Sequence, residues 1–478
     1  MKTHSAANHP TRQHAIVIGG SIAGLTAARV LTNHFAKVTI IERDAAQRAD
    51  SYRTGVPQGR HPHILLGLGQ QLLEEMFPGL FKQLLAEGAV QMDLGHEFQF
   101  FVNSGWSQPF DSQITGVICS RPMLESAVYQ RVAAHPHVQI LHEKLVLWLC
   151  TDEQKHQATG VQMRDRHNVL AAPTTLQADL VLDASGRDSR ALEWLEGLGY
   201  TPPQEATINA FAGYSTRIYR KPANFADTWK SLYIMATYPH TPRGAVILPM
   251  EGDRWQVCLI GMNGDYPPTD EAGFMEFARS LRTPRFYEAI KHAEPLTDLY
   301  GYRRAENRMR YYEKLPRYLE NFLVTGDAVY AFNPVYGQGM STAAMASQTL
   351  DACLHKQSGQ SLNGLAQAFQ KALAGVVAGP WQLATGQDVR WPKTTGGQSP
   401  DPMTRMVRHY LDRVLATMPY SAAVSEAFLY VQNMLKPPTS LFHPKILWQV
   451  LKPASWHKTD KTTQSAMPML QPAQMSGD

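Results

Sequence analysis

The stretch that most constrains this chain is HAIVIGGSIAGLTAARVL, which begins at His14. Its first five residues, His14 to Ile18, form a short apolar run that reads as a buried parallel strand. Glycines follow at once, and the Ala/Leu-rich stretch from Ile22 to Leu31 favours helix. Val38 to Ile41 makes a second apolar run and ends in Glu42. A strand, a glycine turn, a helix and a second strand in this order commit the fold to an α/β class with a parallel sheet.

Within this unit Gly19, Ser21 and Gly24 occupy the three positions of GxGxxG, with Ile22 and Ala23 between the last two. Gly19 permits the tight turn, and the small Ser21 lets backbone approach a pyrophosphate. Gly24 allows the helix to pack closely on the strand, and the helix N-terminus faces the phosphates. Serine at the second position departs from the pattern and tightens that approach. Glu42 closes the second strand where an acid accepts hydrogen bonds from ribose hydroxyls, with Arg43 beside it. An acid there disfavours a 2′-phosphate, so the nucleotide is FAD or NAD rather than NADP. A plain glycine turn with a solvated glutamate would need none of this register.

At 478 residues the chain exceeds one compact core and suits two joined domains. A net charge of +4 without a dense basic tract excludes a nucleic-acid partner. The four cysteines, Cys119, Cys150, Cys258 and Cys353, form no CxxC pair and have no metal-site spacing, so they read as isolated thiols. The first residues lack an apolar signal core, and no run of about 18 apolar residues occurs. A cytoplasmic protein is expected.

Helical spacing runs from Gln70 to Leu85, and a helix starts near Ser120 with Pro122 in its first turn. Strands are expected at Phe98 to Val102, Gly116 to Cys119, Ala210 to Tyr219, Ala245 to Met250 and Trp255 to Met262. The pattern gives a discontinuous Rossmann-like dinucleotide domain over 12–85, 111–200 and 305–378. Residues 86–110 and 201–304 form an inserted mixed β-sheet substrate domain. After Pro380 the texture changes to helices broken by proline, giving a C-terminal helical extension over 379–456. Residues 1–11 and 457–478 are polar and expected to be disordered.

Two further motifs identify the dinucleotide. Residues 178–190 read ADLVLDASGRDSR, and residues 321–341 read NFLVTGDAVYAFNPVYGQGMS. With the first glycine turn, these resemble the three landmarks of the para-hydroxybenzoate hydroxylase superfamily of FAD-dependent monooxygenases. The NPVYG spacing and GQGM ending are most similar to squalene epoxidase and bacterial polyether epoxidases. The resemblance covers most of residues 14 to 375. It implies that Asp327, after Gly326, holds the ribityl chain of FAD, and that Pro334, Gly337, Gln338, Gly339 and Met340 lie along the isoalloxazine. It also implies that Asp183 and Gly186 sit beside the cofactor, and that Arg121, in an RxxL helix with Leu124, lies near the phosphate–ribityl portion.

The loop GVPQGRHPH, Gly55 to His63, corresponds to a segment that runs beside the flavin ring in similar proteins. Arg60 in it either contacts FAD or faces solvent. His61 and His63 lack a third ligand and read as hydrogen-bonding loop residues, so no metal is expected. The basic stretch YRRAENRMRYYEK, Tyr302 to Lys314, reads as a charged strand face with Glu306 and Glu313 as local partners. The other reading is a landing site for NAD(P)H phosphates, because no second GxGxxG appears.

The resemblance therefore implies a flavin reduced by transient NAD(P)H, which reacts with O2 to a flavin hydroperoxide and oxygenates a substrate. No catalytic side chain is needed beyond the flavin, but a dry pocket is. Phe211, Tyr214, Tyr233, Met235, Met250 and Trp255 offer apolar surface in the middle sheet for a small lipophilic substrate. Epoxidation or hydroxylation of an olefinic or aromatic secondary metabolite is the expectation. A geranylgeranyl-reductase-like reductase or dehydrogenase is the alternative. A halogenase lacks support because the WxWxIP signature is missing, and a noncatalytic flavoprotein is the remaining rival. The C-terminal helices are expected to lid the substrate domain; lying on a membrane surface is the other reading.

Overall fold

A computed structural model describes residues 12–46, 51–168, 170–357, 359 and 361–452. The disorder expected for 1–11 and 457–478 lies outside the described residues. A five-stranded parallel sheet runs in the order Phe322–Val324, Leu180–Asp183, Arg12–Ile18, Phe35–Ile41 and Val138–Leu141. Ala15 to Val17, Val38, Ile40, and Leu180 to Leu182 are wholly buried, as strands covered on both faces require. The fold is mixed α/β with a Rossmann-like core, as the glycine turn and its flanks imply. Helix Ile22–Leu31 packs beside helix Gly339–His355, and the Thr26 and Ser347 hydroxyls bond between them at 2.8 Å.

A second, seven-stranded sheet carries Tyr300–Tyr302, Gly213–Arg220, Arg254–Gly261, Arg243–Met250, Ser231–Ile234, Phe98–Val102 and Gly105–Trp106 in that order. Alternation of side chains gives it two different faces. Ala245, Ile247, Val257 and Leu259 point one way, onto Phe274, Phe277, Phe286 and Ile290 of two covering helices. Each such phenylalanine contributes roughly 1.5–3 kcal/mol of burial. Val246, Leu248, Cys258 and Ile260 point the other way, toward the parallel-sheet unit and the C-terminal helices.

Two helix expectations change. The Gln70 to Leu85 stretch is two helices, Gly67–Met76 and Leu80–Ala86, because Pro78 lacks a donor and Gly79 turns at φ 79°. Pro380, by contrast, breaks nothing: it lies inside helix Leu365–Asp388. Buried Phe369, Leu373, Val377 and Ala384 hold that helix on both sides of the proline and offset the one missing hydrogen bond. The later helices Pro402–Thr417, Ala422–Gln432 and Pro444–Leu451 are tied together, Tyr410 Oη donating to the Leu441 carbonyl at 2.6 Å. They join the first unit where Asn433 accepts from the Gly67 N–H at 3.0 Å. No helix among the described residues is long and apolar enough to cross a membrane.

Candidate cofactor and substrate site

A long cleft opens at the C-terminal ends of the parallel strands, the end where such sheets take ligands. Gly19, Ser21, Ile22, Ala23, Glu42, Arg43, Arg121, Gly186, Gly326, Asp327, Pro334, Gly337, Gln338, Gly339 and Met340 line it. Stretches far apart in sequence therefore converge on one space. At Gly19, φ is 103° and an added Cβ would lie 2.6 Å from the Ala184 carbonyl oxygen. Gly24 does not reach the cleft. Its Cβ position lies 1.8 Å from the Gly19 oxygen, so its absence of a side chain is what brings helix onto turn.

Glu42 is buried at the mouth of the first turn, accepting from the Gly20 N–H at 2.6 Å, the Asp44 N–H at 2.8 Å and Arg53 at 3.1 Å. A carboxylate has about four lone-pair sites, so one remains for a hydroxyl. Arg53 also pairs with Glu125 at 2.8 Å, and Glu125 with Arg121 at 2.8 Å. Arg121 in turn donates to Ser21 Oγ at 3.0 Å, which sets a guanidinium at the start of the first helix. Seven cations line the cleft (Arg43, Arg53, Arg121, Lys144, Arg187, Arg190 and Arg304) against four carboxylates, Glu42, Asp44, Asp188 and Asp327. That excess favours an anionic ligand.

These residues fit a dinucleotide. Neither helix that starts at the cleft has an acid in its first turn, so their free N–H groups and dipoles face the space unneutralised. Nothing lies within 4 Å of the Cβ position of Gly186 or Gly339. Gln338 is buried, and its Oε1 has no partner within the protein. A buried acceptor of this kind is costly unless a ligand donor meets it.

Two cofactor assignments change. Arg60 does not line the cleft: its guanidinium sits over Tyr300 at 4.4 Å and Tyr52 at 5.2 Å, held by cation–π attraction. Asp183 lies behind the cleft wall, wholly buried, accepting from the Ser185 N–H at 2.9 Å and Ser189 Oγ at 2.5 Å. It shapes the turn that presents Gly186. The basic stretch also finds distant partners rather than local ones: Glu306 pairs with Arg187 at 2.6 Å, Arg304 with Asp188 at 2.7 Å and Arg310 with Glu205 at 3.0 Å.

Beyond the cleft is a small inner chamber, lined chiefly by Phe98, Phe100, Val246, Leu248 and Ile260, with Tyr214, Tyr233, Tyr302 and Tyr336 around them. Gln58, Pro62, His63, Ile64, Tyr302, Pro334 and Gly337 line both spaces, so they form a shared wall. Of the six pocket residues expected from sequence, only Tyr214 and Tyr233 line the chamber. Trp255 faces the opposite side of the sheet, stacked on Trp229 at 5.8 Å. Phe211 precedes its strand at φ 51°, and Met235 and Met250 stand at strand ends away from the chamber. Sequence reasoning missed Phe98, Phe100, Val246, Leu248, Cys258 and Ile260; alternation within each strand, which pairs Phe98 with Phe100, Val246 with Leu248 and Cys258 with Ile260, was the available signal.

The chamber holds no charged side chain. Burial, with Arg60 nearby, lowers His61 to about 4, and burial beside Arg121 lowers His63 to about 3, so both rings are neutral. His61 Nδ1 bonds Thr216 Oγ1 and His63 Nδ1 the His61 carbonyl, each at 2.8 Å. Behind the Asn333–Tyr336 segment lies Asp388, which is fully buried. It accepts from Tyr336 Oη at 2.5 Å, Asn307 Nδ2 at 2.6 Å and Asn333 Nδ2 at 3.0 Å. Burial raises its carboxyl to about 6. Tyr214 Oη donates to Asn333 Oδ1 and accepts from the Val335 N–H at 3.1 Å. This network fixes the loop that separates cleft from chamber.

The FAD-binding-domain family model FAD_binding_3 matches residues 12–367. The chain belongs to this family. Its members are FAD-dependent monooxygenases of the para-hydroxybenzoate hydroxylase kind and halogenases, so the chain is of an FAD-dependent oxidoreductase family and its cofactor is FAD. "Protein Rv3254" of Mycobacterium tuberculosis is 29% identical over 433 residues, covering 87% of this chain and 89% of that protein. A flavoprotein/dehydrogenase from Cytophaga hutchinsonii superposes with a TM-score of 0.64 at 14% identity, covering 94% of this chain and all of that one. The probable FAD-dependent monooxygenase pqsL from Pseudomonas aeruginosa does so at 0.55 and 17%, covering 88% of this chain and 100% of that one. The flavin-dependent brominase Bmp2 gives 0.61 and 13%, over 89% and 100%. At these identities the three structures speak for the fold alone.

Proposed function

We propose that this family member is an NAD(P)H-dependent monooxygenase that transfers one atom of O2 to an apolar olefinic or aromatic metabolite. The observation that carries the reading is the shared wall. A cleft suited to FAD ends at Pro334 and Gly337, and an uncharged apolar chamber begins at the same two residues. When bound, the flavin supplies hydride acceptance and oxygen activation.

The chain's own residues do the rest. Ser21, Arg121 and the first helix would hold the pyrophosphate; Asp327 and Glu42 would take the ribityl and ribose hydroxyls. The N–H groups that begin helix Gly339–His355 open onto the cleft and would stabilise negative charge on a bound flavin. Phe98, Phe100, Val246, Leu248 and Ile260 exclude water from the reacting space. Tyr336 spends its proton on Asp388, so it offers substrate a lone pair. That end of the chamber suits a hydroxyl donor, and the rest suits hydrocarbon. The squalene-epoxidase-like motifs favour epoxidation within this reading.

The test is to incubate FAD-loaded protein with NADH or NADPH, isotopically labelled O2 and panels of polyenes and polycyclic aromatics. A substrate that stimulates NAD(P)H oxidation and gains one labelled oxygen atom is the expected result. Reduced product formed without O2 uptake would make the protein a reductase. A product halogenated only when bromide or chloride is supplied would make it a halogenase.

A further inference from the structure

The helices Ile22–Leu31 and Gly339–His355 both begin at the cleft and run side by side, so their C-terminal ends meet at the far surface. From Gly339 to Asp351 the rise along the helix is about 18 Å. At that far end stand His34, Asp351 and His355, in no contact with the cofactor cleft. His34 Nε2 lies 2.7 Å from Asp351 Oδ1, and His355 Nε2 lies 3.5 Å from Asp351 Oδ2. The two imidazole rings are 4.6 Å apart between centroids and meet edge-on at 71°.

We propose that these three side chains bind one divalent first-row transition ion, with zinc the reference case. Two imidazoles and a carboxylate are a donor set that such ions accept readily. The available ligand atoms all lie within 4.8 Å of one another. Bonds of about 2.1 Å in a tetrahedron require ligand atoms about 3.4 Å apart. His34 approaches Oδ1 and His355 approaches Oδ2 of the one carboxylate, at 2.7 and 3.5 Å, so small side-chain rotations bring one oxygen and both nitrogens toward that spacing. Asp351 and His355 are one helical turn apart, so they face the same way, and His34 enters from the turn that follows helix Ile22–Leu31.

Burial is graded in the way a half-open site needs. His34 is 8% exposed and so fixed in place, whereas the His355 side chain is 66% exposed and leaves a side open for entry and for water as a fourth ligand. Asn33 Nδ2 approaches Asp351 Oδ1 at 3.5 Å and orients the carboxylate from behind. The His34–Asp351 hydrogen bond needs a proton on His34 Nε2. In the Nδ1–H tautomer that proton has moved to the other ring nitrogen and Nε2 is free for the ion, so the imidazole stays neutral. The ion would then clamp together the two helices whose opposite ends hold FAD.

The experiment uses untagged, FAD-loaded protein titrated with zinc chloride against a coloured chelator, and with cobalt(II) followed by visible absorption away from the flavin band. Expected are one ion per chain, a cobalt spectrum of nitrogen–oxygen ligation and a zinc-dependent rise in the melting midpoint. His355→Ala removes an exposed ligand and leaves the helix intact. It should bind zinc about 10-fold more weakly or worse, lose the zinc-dependent rise, and keep its flavin content. Asp351→Asn should do the same. Absence of stoichiometric binding, or equal affinity in wild type and His355→Ala, overturns the proposal.

Discussion

The cleft and the chamber share a wall but are built on opposite principles. The cleft is framed by backbone, turns at Gly19, Gly186 and Gly326 and the N-termini of two helices, with charged side chains set around that frame. The chamber is made of side chains that alternate from a sheet whose other face is an ordinary core. Backbone geometry needs particular residues at fixed spacing and tolerates little. A side-chain wall needs only apolar volume, and many residues supply that. One space is thus tied to a cofactor, and the other is free to follow a substrate.

If the contrast holds, damage to the cleft should be severe and general, and damage to the chamber local. Gly24→Val drives a side chain into the Gly19 carbonyl 1.8 Å away. FAD binding should weaken by about 3 kcal/mol or more, roughly a 100-fold or greater loss of affinity, read as flavin absorbance per polypeptide. A yellow, fully loaded variant would break the comparison at its strongest point.

The wall between them should respond to pH. Asp388 is held at about 6, whereas an unfolded aspartate titrates near 3.9. Between those values the folded chain keeps a proton that the unfolded chain has released. The contribution of Asp388 to stability is therefore full below about pH 4 and falls until about pH 6. Wild type should lose about 3 kcal/mol relative to Asp388→Asn from pH 4 to 7, measured by denaturant midpoints at each pH. A difference that stays flat across that range would show that burial of the charge is not what the network bears.

The smallest effect belongs to the chamber. Val246→Phe fills it from the sheet side. KM for a substrate found in the turnover assay should rise about 10-fold, near 1.4 kcal/mol, with FAD content unchanged. Equal kinetics in variant and wild type would place the substrate elsewhere.

The same contrast explains what was legible beforehand. Gly19, Ser21, Asp327 and the Gly337–Met340 turn stand in short local runs, where chemistry and spacing coincide, and all line the cleft. Asp183 belongs to such a run yet sits behind the wall, because its side chain caps the turn rather than facing outward. Trp255 was misplaced because its strand is buried on both faces, so that even the polar Gln256 beside it lies inside and marks neither side as solvent. Arg60 is drawn aside by two tyrosines, one of them about 240 residues later, and sequence proximity carries no trace of that. Asp388, the centre of the loop-fixing network, lies at the end of a long helix with no motif around it.

Because Pro334 and Gly337 border both spaces, whatever fills the cleft at that end completes the enclosure on the other side. A compound titrated into protein stripped of its nucleotide meets a room with one partition missing. Screening results obtained on the yellow and the colourless forms describe two different receptors.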